Sequence, residues 1–476
     1  MEDIRISLRE TGTEISPLIY GQFIEHLGNC IDGGIFDASS SFSDKNGIRQ
    51  DVFSLVKRLS PPIIRFPGGT VMCIYHWEDH VGPISQRKKR KNLIWGGEIN
   101  PAFGTAEFVS YCRSVGAEPM ICVNMASGTP EEAANWVEYC NGTGDTYYAN
   151  LRRSHGYPDP FCVRYWCIGN ECYAEPDIGI QNDVNIYIRD AKEFIKFMKL
   201  TDKSIELVIV GSDDMETWNR PVLDALSPFT DYFSYHFYAS ENGQGIYGPF
   251  LSEKYFLKKI EEFRLLLSEY PETPENFSPW YRFPPRKNRI RLMIDEWNIW
   301  EFKQNALYGL DMKYNWRDAL WVASMINNFA NEDAIAGANM AQLVNIIAPI
   351  LTSDRGAYPQ TIFTPMEEMR KYLVGKKMKC ELSQNPVVSL SNGETIPSLS
   401  ISSSINEAGL VVSVVNRSFE NDYSVILPFS GTAKCFNAPP HAINEFDLNV
   451  IDVSERVFRK DTPFKISKGS FVLIKE

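Results

Sequence analysis

The chain has 476 residues, of which 44% are hydrophobic, 13% aromatic and 23% charged, as in folded globular proteins rather than disordered or fibrous ones. Its formal net charge of −12 disfavours phosphate backbones and anionic membrane surfaces, so we predict neither a nucleic-acid partner nor a membrane partner. The sequence has no apolar stretch of roughly 18 residues and no signal-peptide pattern, which predicts a cytoplasmic protein.

The first segment, residues 1–15, alternates Ile4, Ile6 and Leu8 with polar residues and predicts a half-buried strand. From residue 16 to 370, short apolar runs alternate with amphipathic helical segments, which predicts an α/β fold of the (β/α)8 or TIM-barrel type. A doubly wound sheet is the alternative, although it usually has a Gly-rich turn after its first strand, and none is present. The eight runs begin at residues 18, 63, 119, 163, 206, 232, 291 and 337.

Residues 371–476 have a different residue pattern, in which segments of alternating apolar and polar residues such as "GLVVSVVN" and "FVLIKE" are separated by Gly, Asn and Pro. This pattern predicts a β-sandwich of jelly-roll-like form. The strand within residues 1–15 is expected to join it, so that both chain ends belong to one domain.

The predicted strands end in polar residues. In a barrel of this type the active site lies at the carboxyl ends of the strands, so these residues are the candidates for chemistry. They are Glu25, His26, Arg65, Asn124, Asn170, Glu171, Asp213, Asp214, His236, Tyr238, Glu296, Asn298, Gln342 and Asn345.

Two of these acids, Glu171 and Glu296, end the fourth and seventh strands and would face each other across the mouth. Carboxyl groups about 5 to 5.5 Å apart perform retaining glycoside hydrolysis, one as nucleophile and the other as acid/base. Arg65 would keep Glu296 ionised, whereas Glu171 has no sequence-adjacent cation and could keep its proton. Successive side chains of a strand point to opposite faces, so only one of Asp295 and Glu296 is expected to face the barrel axis. The alternation alone does not say which of the two it is.

Other patterns give weaker signals. His76 and His80, with Glu78 and Asp79, could form a metal cluster, but the surrounding prolines disfavour the helix that would align them. The basic run at 87–91 is interpreted as a solvated loop face. Aromatic residues near strand ends suit stacking on a sugar, although about half of them are expected to be core packing. These residues are Trp95, Trp166, Trp297, Trp300 and Tyr238.

Nine motifs occur in order along the chain and together resemble the α-L-arabinofuranosidases of glycoside hydrolase family 51. The resemblance implies that Glu171 is the acid/base and Glu296 the nucleophile. It also implies a sugar-binding pocket and a homo-oligomer such as a hexamer. The motifs are "IYGQFIEHLG", "RFPGG", "WEDHVGP", "FGTAEF", "WCIGNE", "YHFY", "DEWNIW", "AQLVN" and "QTIFTP".

The same match assigns roles to the surrounding residues. Arg65 and His236 would support the nucleophile, and Trp95 and Trp300 would shape the sugar pocket. Residues that would bind the furanose or orient the two acids are Glu25, Asn170, Tyr238 and Gln342. The chain departs from the family pattern at Thr70, where Asn is usual and contacts the sugar, and at His80, where Gly is typical.

The sequence therefore predicts a retaining, exo-acting enzyme that releases terminal α-L-arabinofuranosyl residues from oligosaccharides by double displacement. Hydrolysis of this kind needs no cofactor and no metal. Because of Thr70, another specificity on the same machinery stays open: β-D-galactofuranosidase, β-xylosidase or endo-glucanase. A carbohydrate-binding protein without catalysis and a metal-dependent barrel hydrolase are alternatives from other classes.

Overall fold

A computed structural model describes residues 3–175, 177–180, 182–275 and 277–476. Residues 1 and 2 of the predicted N-terminal segment lie outside this described part. The helices are α1 (Gln50–Leu59), α2 (Thr105–Val115), α3 (Pro130–Asn141), α4 (Tyr147–Ser154), α5 (Val184–Thr201), α6 (Arg220–Leu226), α7 (Gly248–Ser268), α8 (Trp316–Asn331) and α9 (Phe363–Tyr372).

The strands of the first part of the chain are β1 (Ile4–Ile15), β2 (Gly21–Phe23), β3 (Ile63–Phe66), β4 (Arg90–Lys91), β5 (Glu98–Ile99), β6 (Glu118–Val123), β7 (Tyr165–Ile168), β8 (Glu206–Ile209), β9 (Tyr232–Ala239), β10 (Arg291–Ile299), β11 (Ile335–Ala341), β12 (Ile350–Ser353) and β13 (Gly356–Pro359). The strands of the last part are β14 (Gly375–Leu382), β15 (Val387–Ser389), β16 (Thr395–Pro397), β17 (Leu399–Asn406), β18 (Gly409–Asn416), β19 (Tyr423–Ile426), β20 (Gly431–Asn437), β21 (Asp452–Phe458), β22 (Pro463–Ile466) and β23 (Ser470–Lys475).

Eight parallel strands close into a barrel, in the order β2, β3, β6, β7, β8, β9, β10 and β11, with β11 pairing back onto β2. The predicted (β/α)8 barrel is confirmed, and the doubly wound sheet is wrong. The strands are almost entirely buried, as expected for a parallel sheet covered by helices. Their carboxyl ends open on one face, where the candidate residues lie.

The helices around the barrel follow from local sequence signals. In α1, the buried residues Val52, Leu55, Val56 and Leu59 recur at helical spacing and form the face that packs on the core. Helix α3 begins at Thr129, whose side chain accepts a hydrogen bond from the first turn, and has proline at its first position. Such signals fix where each helix starts and therefore where each loop meets the barrel mouth.

The second unit is a nine-stranded sheet formed by β1, β14 and β17–β23. Strands β15 and β16 form a separate hairpin. Strand β1 pairs antiparallel with β14 and parallel with β19, as predicted for the N-terminal strand. The sheet encloses its own apolar core, which includes Ile4, Val412, Val425, Ile466 and Ile474. Helix α8 packs against β11 on one side and against β17 and β18 on the other, so it joins the sheet to the barrel.

The basic run at 87–91 lies at the start of the hairpin β4–β5. Lys88 Nζ lies 2.8 Å from Asp79, and Arg90 is 2.6 Å from the same carboxylate. The side chain of Arg87 is 3% exposed and pairs with Glu107 at 2.7 Å. The charges of these three residues are paired within the protein, and they fix the loop that carries Trp95.

Candidate active site

The predicted site residues come from most of the barrel strands and from two loops. Glu25 follows β2, Arg65 lies in β3, and Asn170 and Glu171 follow β7. His236 and Tyr238 lie in β9, Glu296 in β10, and Gln342 follows β11. Thr70 lies in the turn after β3, Trp95 lies between β4 and β5, and Trp300 follows β10.

Glu171 and Glu296 point into one shared space. One oxygen of each carboxylate and one ring nitrogen of His236 all lie within 4.8 Å of one another. Glu171 adopts a left-handed backbone conformation with φ of 42°, a strained state that clusters at functional sites in proteins. The structure thus brings together the two acids that the sequence singled out.

Glu296 is held by two direct hydrogen bonds. Arg65 Nη1 donates to Oε1 at 2.6 Å, and Tyr238 Oη donates to Oε2 at 2.8 Å. The other terminal nitrogen of Arg65 donates to Asn170 Oδ1 at 2.6 Å. Arg65 is 1% exposed, so its ion pair with Glu296 is buried.

Asp295 also contacts Arg65, with Oδ2 3.3 Å from Nε. The expectation that only one of Asp295 and Glu296 faces the barrel interior is therefore wrong. The pairing of β10 with β9 changes register between Met293 and Glu296, which is a β-bulge that breaks the two-residue alternation. Burial raises the pKa of Asp295, but the charges of Arg65 and His236 outweigh it and lower that pKa, so a second buried anion lies beside Glu296.

Glu171 has a cation that the sequence did not reveal, because His236 Nδ1 lies 2.8 Å from Oε1. The same nitrogen is 3.6 Å from Glu296, so His236 contacts Glu171 more closely than Glu296. Burial lowers the pKa of His236, but the charges of Glu296 and Asp295 outweigh it and raise that pKa well above its ordinary value. Burial raises the pKa of Glu171, but the hydrogen bond and charge of His236 outweigh it and lower that pKa.

Glu25 forms a second buried network at the end of β2. Its Oε1 accepts hydrogen bonds from the Val71 amide at 2.8 Å and from Trp95 Nε1 at 3.1 Å. Its Oε2 accepts from Gln342 Nε2 at 3.0 Å. Burial raises the pKa of Glu25 to about 7; the Val71 amide opposes this effect and the charge of Glu296 adds to it.

Thr70 and Trp300 complete the wall. Thr70 is buried at the start of the short helical turn after β3. The ring of Trp300 makes an edge contact with Tyr238, with centroids 5.7 Å apart. Its indole nitrogen donates to the carbonyl of Tyr308 at 2.9 Å. Sequence reasoning missed Tyr308 because it lies well past a strand end, in a loop that carries no motif.

Several other strand-end candidates have structural contacts. Asp213 accepts a hydrogen bond from Tyr235, Asp214 caps the turn that follows β8, and the side chains of Asn298 and Asn345 bond to backbone carbonyls. His80 is buried and stacked on Tyr75, and burial lowers its pKa to about 3. His76, by contrast, pairs with Glu132 at 3.0 Å. The two histidines therefore lie in different environments.

A closed parallel barrel with two carboxylates converging at the carboxyl ends of its strands defines a glycoside hydrolase. Two family models match the chain: the alpha-L-arabinofuranosidase 1 domain over residues 55–261 and the alpha-L-arabinofuranosidase C-terminal domain over residues 295–460. The chain belongs to glycoside hydrolase family 51, the α-L-arabinofuranosidases.

Individual relatives agree with this assignment. The chain is 35% identical to a probable alpha-L-arabinofuranosidase C of Aspergillus niger, over 97% of this chain and 95% of that one. It is 37% identical to an intracellular exo-alpha-(1->5)-L-arabinofuranosidase of Halalkalibacterium halodurans, over 78% and 75% of the two chains. The alpha-L-arabinofuranosidase of Thermotoga maritima, solved as an arabinose complex, superposes with a TM-score of 0.88 at 33% identity and covers 100% and 99%.

Proposed function

We propose that this enzyme is a retaining, exo-acting α-L-arabinofuranosidase that releases terminal arabinofuranosyl residues from arabinose-containing oligosaccharides. The observation that carries the proposal is the approach of the Glu171 and Glu296 carboxylates within 4.8 Å. Retaining enzymes need this short spacing, because one acid attacks the sugar directly, whereas inverting enzymes need room for a water molecule.

Glu296 is the nucleophile in this proposal, since Arg65 and Tyr238 each donate a hydrogen bond to one of its oxygens and orient its carboxylate. It attacks the anomeric carbon while the bond from that carbon to the leaving oxygen breaks. Glu171 gives a proton to the leaving oxygen. In the second step Glu171 takes a proton from water, the water oxygen attacks the anomeric carbon, and Glu296 is released.

The proton for the first step is held between His236 and Glu171. In the free enzyme His236 carries it, since the charge of Glu296 is the largest effect raising the pKa of His236. When Glu296 forms an ester with the sugar, that charge disappears and the pKa of His236 falls. In the same step the proton moves along the 2.8 Å hydrogen bond to Glu171 and on to the leaving oxygen. Attack and protonation are thereby coupled.

The remaining site residues bind and orient the sugar. Asn170 positions Arg65, and Gln342 and Trp95 position Glu25 for a sugar hydroxyl. Thr70 and Trp300 contact the sugar ring from the pocket wall. The alternative is another glycoside specificity, which Thr70 leaves open. A panel of aryl furanosides and pyranosides tests it. Cleavage of pyranosides in place of arabinofuranosides contradicts the proposed substrate.

The test of the reaction class is the anomeric configuration of the first product. Nuclear magnetic resonance of the reaction with an aryl α-L-arabinofuranoside is expected to show α-arabinose before mutarotation. With methanol present we expect methyl α-L-arabinofuranoside. Initial release of the β-anomer would make the enzyme inverting and remove the nucleophilic role of Glu296. The Glu296→Gln variant is the control, and it should release neither product.

Three further features belong to this proposal. The domain division is an N-terminal strand at 1–15, a catalytic barrel at 16–370 and a β-sandwich at 371–476. The enzyme acts in the cytoplasm, which the intracellular Halalkalibacterium relative supports. It forms a homo-oligomer, such as a hexamer, which light scattering on the purified protein tests.

Among the helices that the structure describes, none is long and apolar enough to cross a membrane.

A further inference from the structure

The loop after β10, residues 300–314, crosses the barrel mouth, and we call it the strap. It passes over the ends of β11 and β2. Leu310 accepts a hydrogen bond from the Ile347 amide at 2.7 Å, and a methyl carbon of Leu307 lies beside Gly28. Its far side reaches the hairpin β4–β5, where the rings of Tyr308 and Trp95 have centroids 6.4 Å apart. The strap and the hairpin therefore meet over the Glu25 side of the pocket.

Aromatic rings line this crossing in a continuous arc from Tyr238 through Trp300, Phe302 and Tyr308 to Trp95. Successive centroids are 5.7, 6.2, 6.1 and 6.4 Å apart. Tyr238 donates to Glu296 at one end, and Trp95 donates to Glu25 at the other. The arc thus runs along the pocket rim from Glu296 to Glu25, whose strands β10 and β2 are separated by β11.

Glu171 has no place in this arc, since its partner is His236 in β9. The leaving group departs on the side of the acid that protonates it. The arc joins Glu296 to Glu25 instead, so it faces the sugar that stays bound to the enzyme. An extension of the chain beyond that sugar would have to pass the arc.

Tyr308 is held in place at a conformational cost. Its φ is 53°, in the left-handed region that a bulky residue rarely adopts. The indole of Trp300 bonds to its carbonyl, and the side chain of Asn305 accepts hydrogen bonds from the amides on both sides, at Leu307 and Gly309. Strained residues held by such contacts cluster at binding sites and clamps.

We propose that Tyr308, with Phe302 beside it, determines exo specificity by closing the end of the pocket behind the bound sugar. Only an unsubstituted terminal arabinofuranosyl residue fits, and a residue that carries a second sugar on a hydroxyl facing the arc is excluded. This inference rests on the proposed exo-acting function and assigns it to a particular side chain.

The test uses Tyr308→Gly and Tyr308→Asn, because glycine and asparagine tolerate the left-handed backbone while removing the ring. The substrates are p-nitrophenyl arabinobiosides linked through O2, O3 or O5. Wild type should release arabinose first and nitrophenol only after a lag. At least one variant should release arabinobiose directly from one of the three, at a tenth or more of its rate of arabinose release. Trp280→Ala, an exposed aromatic residue before β10, is the matched control and should behave as wild type.

Binding gives a second measurement that does not need turnover. In a Glu296→Gln background, Tyr308→Gly should improve the affinity for one of the arabinobiosides at least tenfold relative to p-nitrophenyl arabinofuranoside, as measured by calorimetry. Folded variants that yield only arabinose and show no such gain overturn the assignment of Tyr308. A wild-type enzyme that cleaves no arabinofuranoside would instead refute the proposed function itself.

Discussion

Replacing Glu171 by alanine removes the group that, in the proposed mechanism, transfers a proton to the leaving oxygen. The expected loss is large, because in the proposed mechanism the proton on His236 Nδ1 passes to the sugar through the Glu171 carboxylate, 2.8 Å away. General acid catalysis contributes about 10²- to 10⁴-fold. At 1.36 kcal/mol per factor of ten, the barrier for oligosaccharides should rise by roughly 3 to 5 kcal/mol.

The size of the effect depends on the leaving group, and this dependence is the diagnostic feature. p-Nitrophenolate departs without protonation, so formation of the glycosyl-enzyme from the aryl substrate should slow less than tenfold. Steady-state kcat/KM on an arabinooligosaccharide and on the aryl arabinofuranoside measures the contrast. Azide should enter the vacated space and give arabinofuranosyl azide with the configuration of the substrate.

The matched control is Glu175→Ala, which removes an exposed carboxylate four residues further along the chain. It should leave both substrates unaffected. Glu171 is not the acid/base if Glu171→Ala cleaves the oligosaccharide within tenfold of Glu175→Ala, or if the substitution slows both substrates equally.

Three further predictions concern the buried network. Tyr238→Phe removes the 2.8 Å hydrogen bond to Glu296 and should lower kcat/KM about 10- to 100-fold, since hydrogen bonds to charged groups contribute about 1.5 to 3 kcal/mol; a change below twofold contradicts this role. Arg65→Met leaves Glu296 and Asp295 as buried anions without their shared cation, and should lower the free energy of unfolding in urea by about 3 to 5 kcal/mol. The pKa of Glu25 is raised from 4.5 to about 7, so its protonated form is favoured in the folded state. The free energy of unfolding should therefore fall by about 3 kcal/mol as pH rises from 4.5 through 7. Glu25→Gln should flatten the dependence of the unfolding free energy on pH in this range, and an unchanged slope contradicts the prediction.

The sequence determined the fold class and the two central acids. Apolar runs that end in polar residues specify parallel strands, and the barrel topology places their carboxyl ends at one mouth. Glu171 and Glu296 could therefore be assigned to one cleft although they are 125 residues apart, because strand order alone determines which side chains share that face.

Tertiary structure decided the electrostatics and the shape of the pocket. The bulge in β10 turns Asp295 inward beside Glu296, and no alternation rule predicts a local change of register. His236 bonds to Glu171 from another strand. Glu171 has no cation near it in the sequence, but it has one near it in the folded structure. Tyr308 reaches Trp95 only because the strap folds across the mouth. Contacts between loops depend on the paths of both chains through space, which local patterns of residues do not encode.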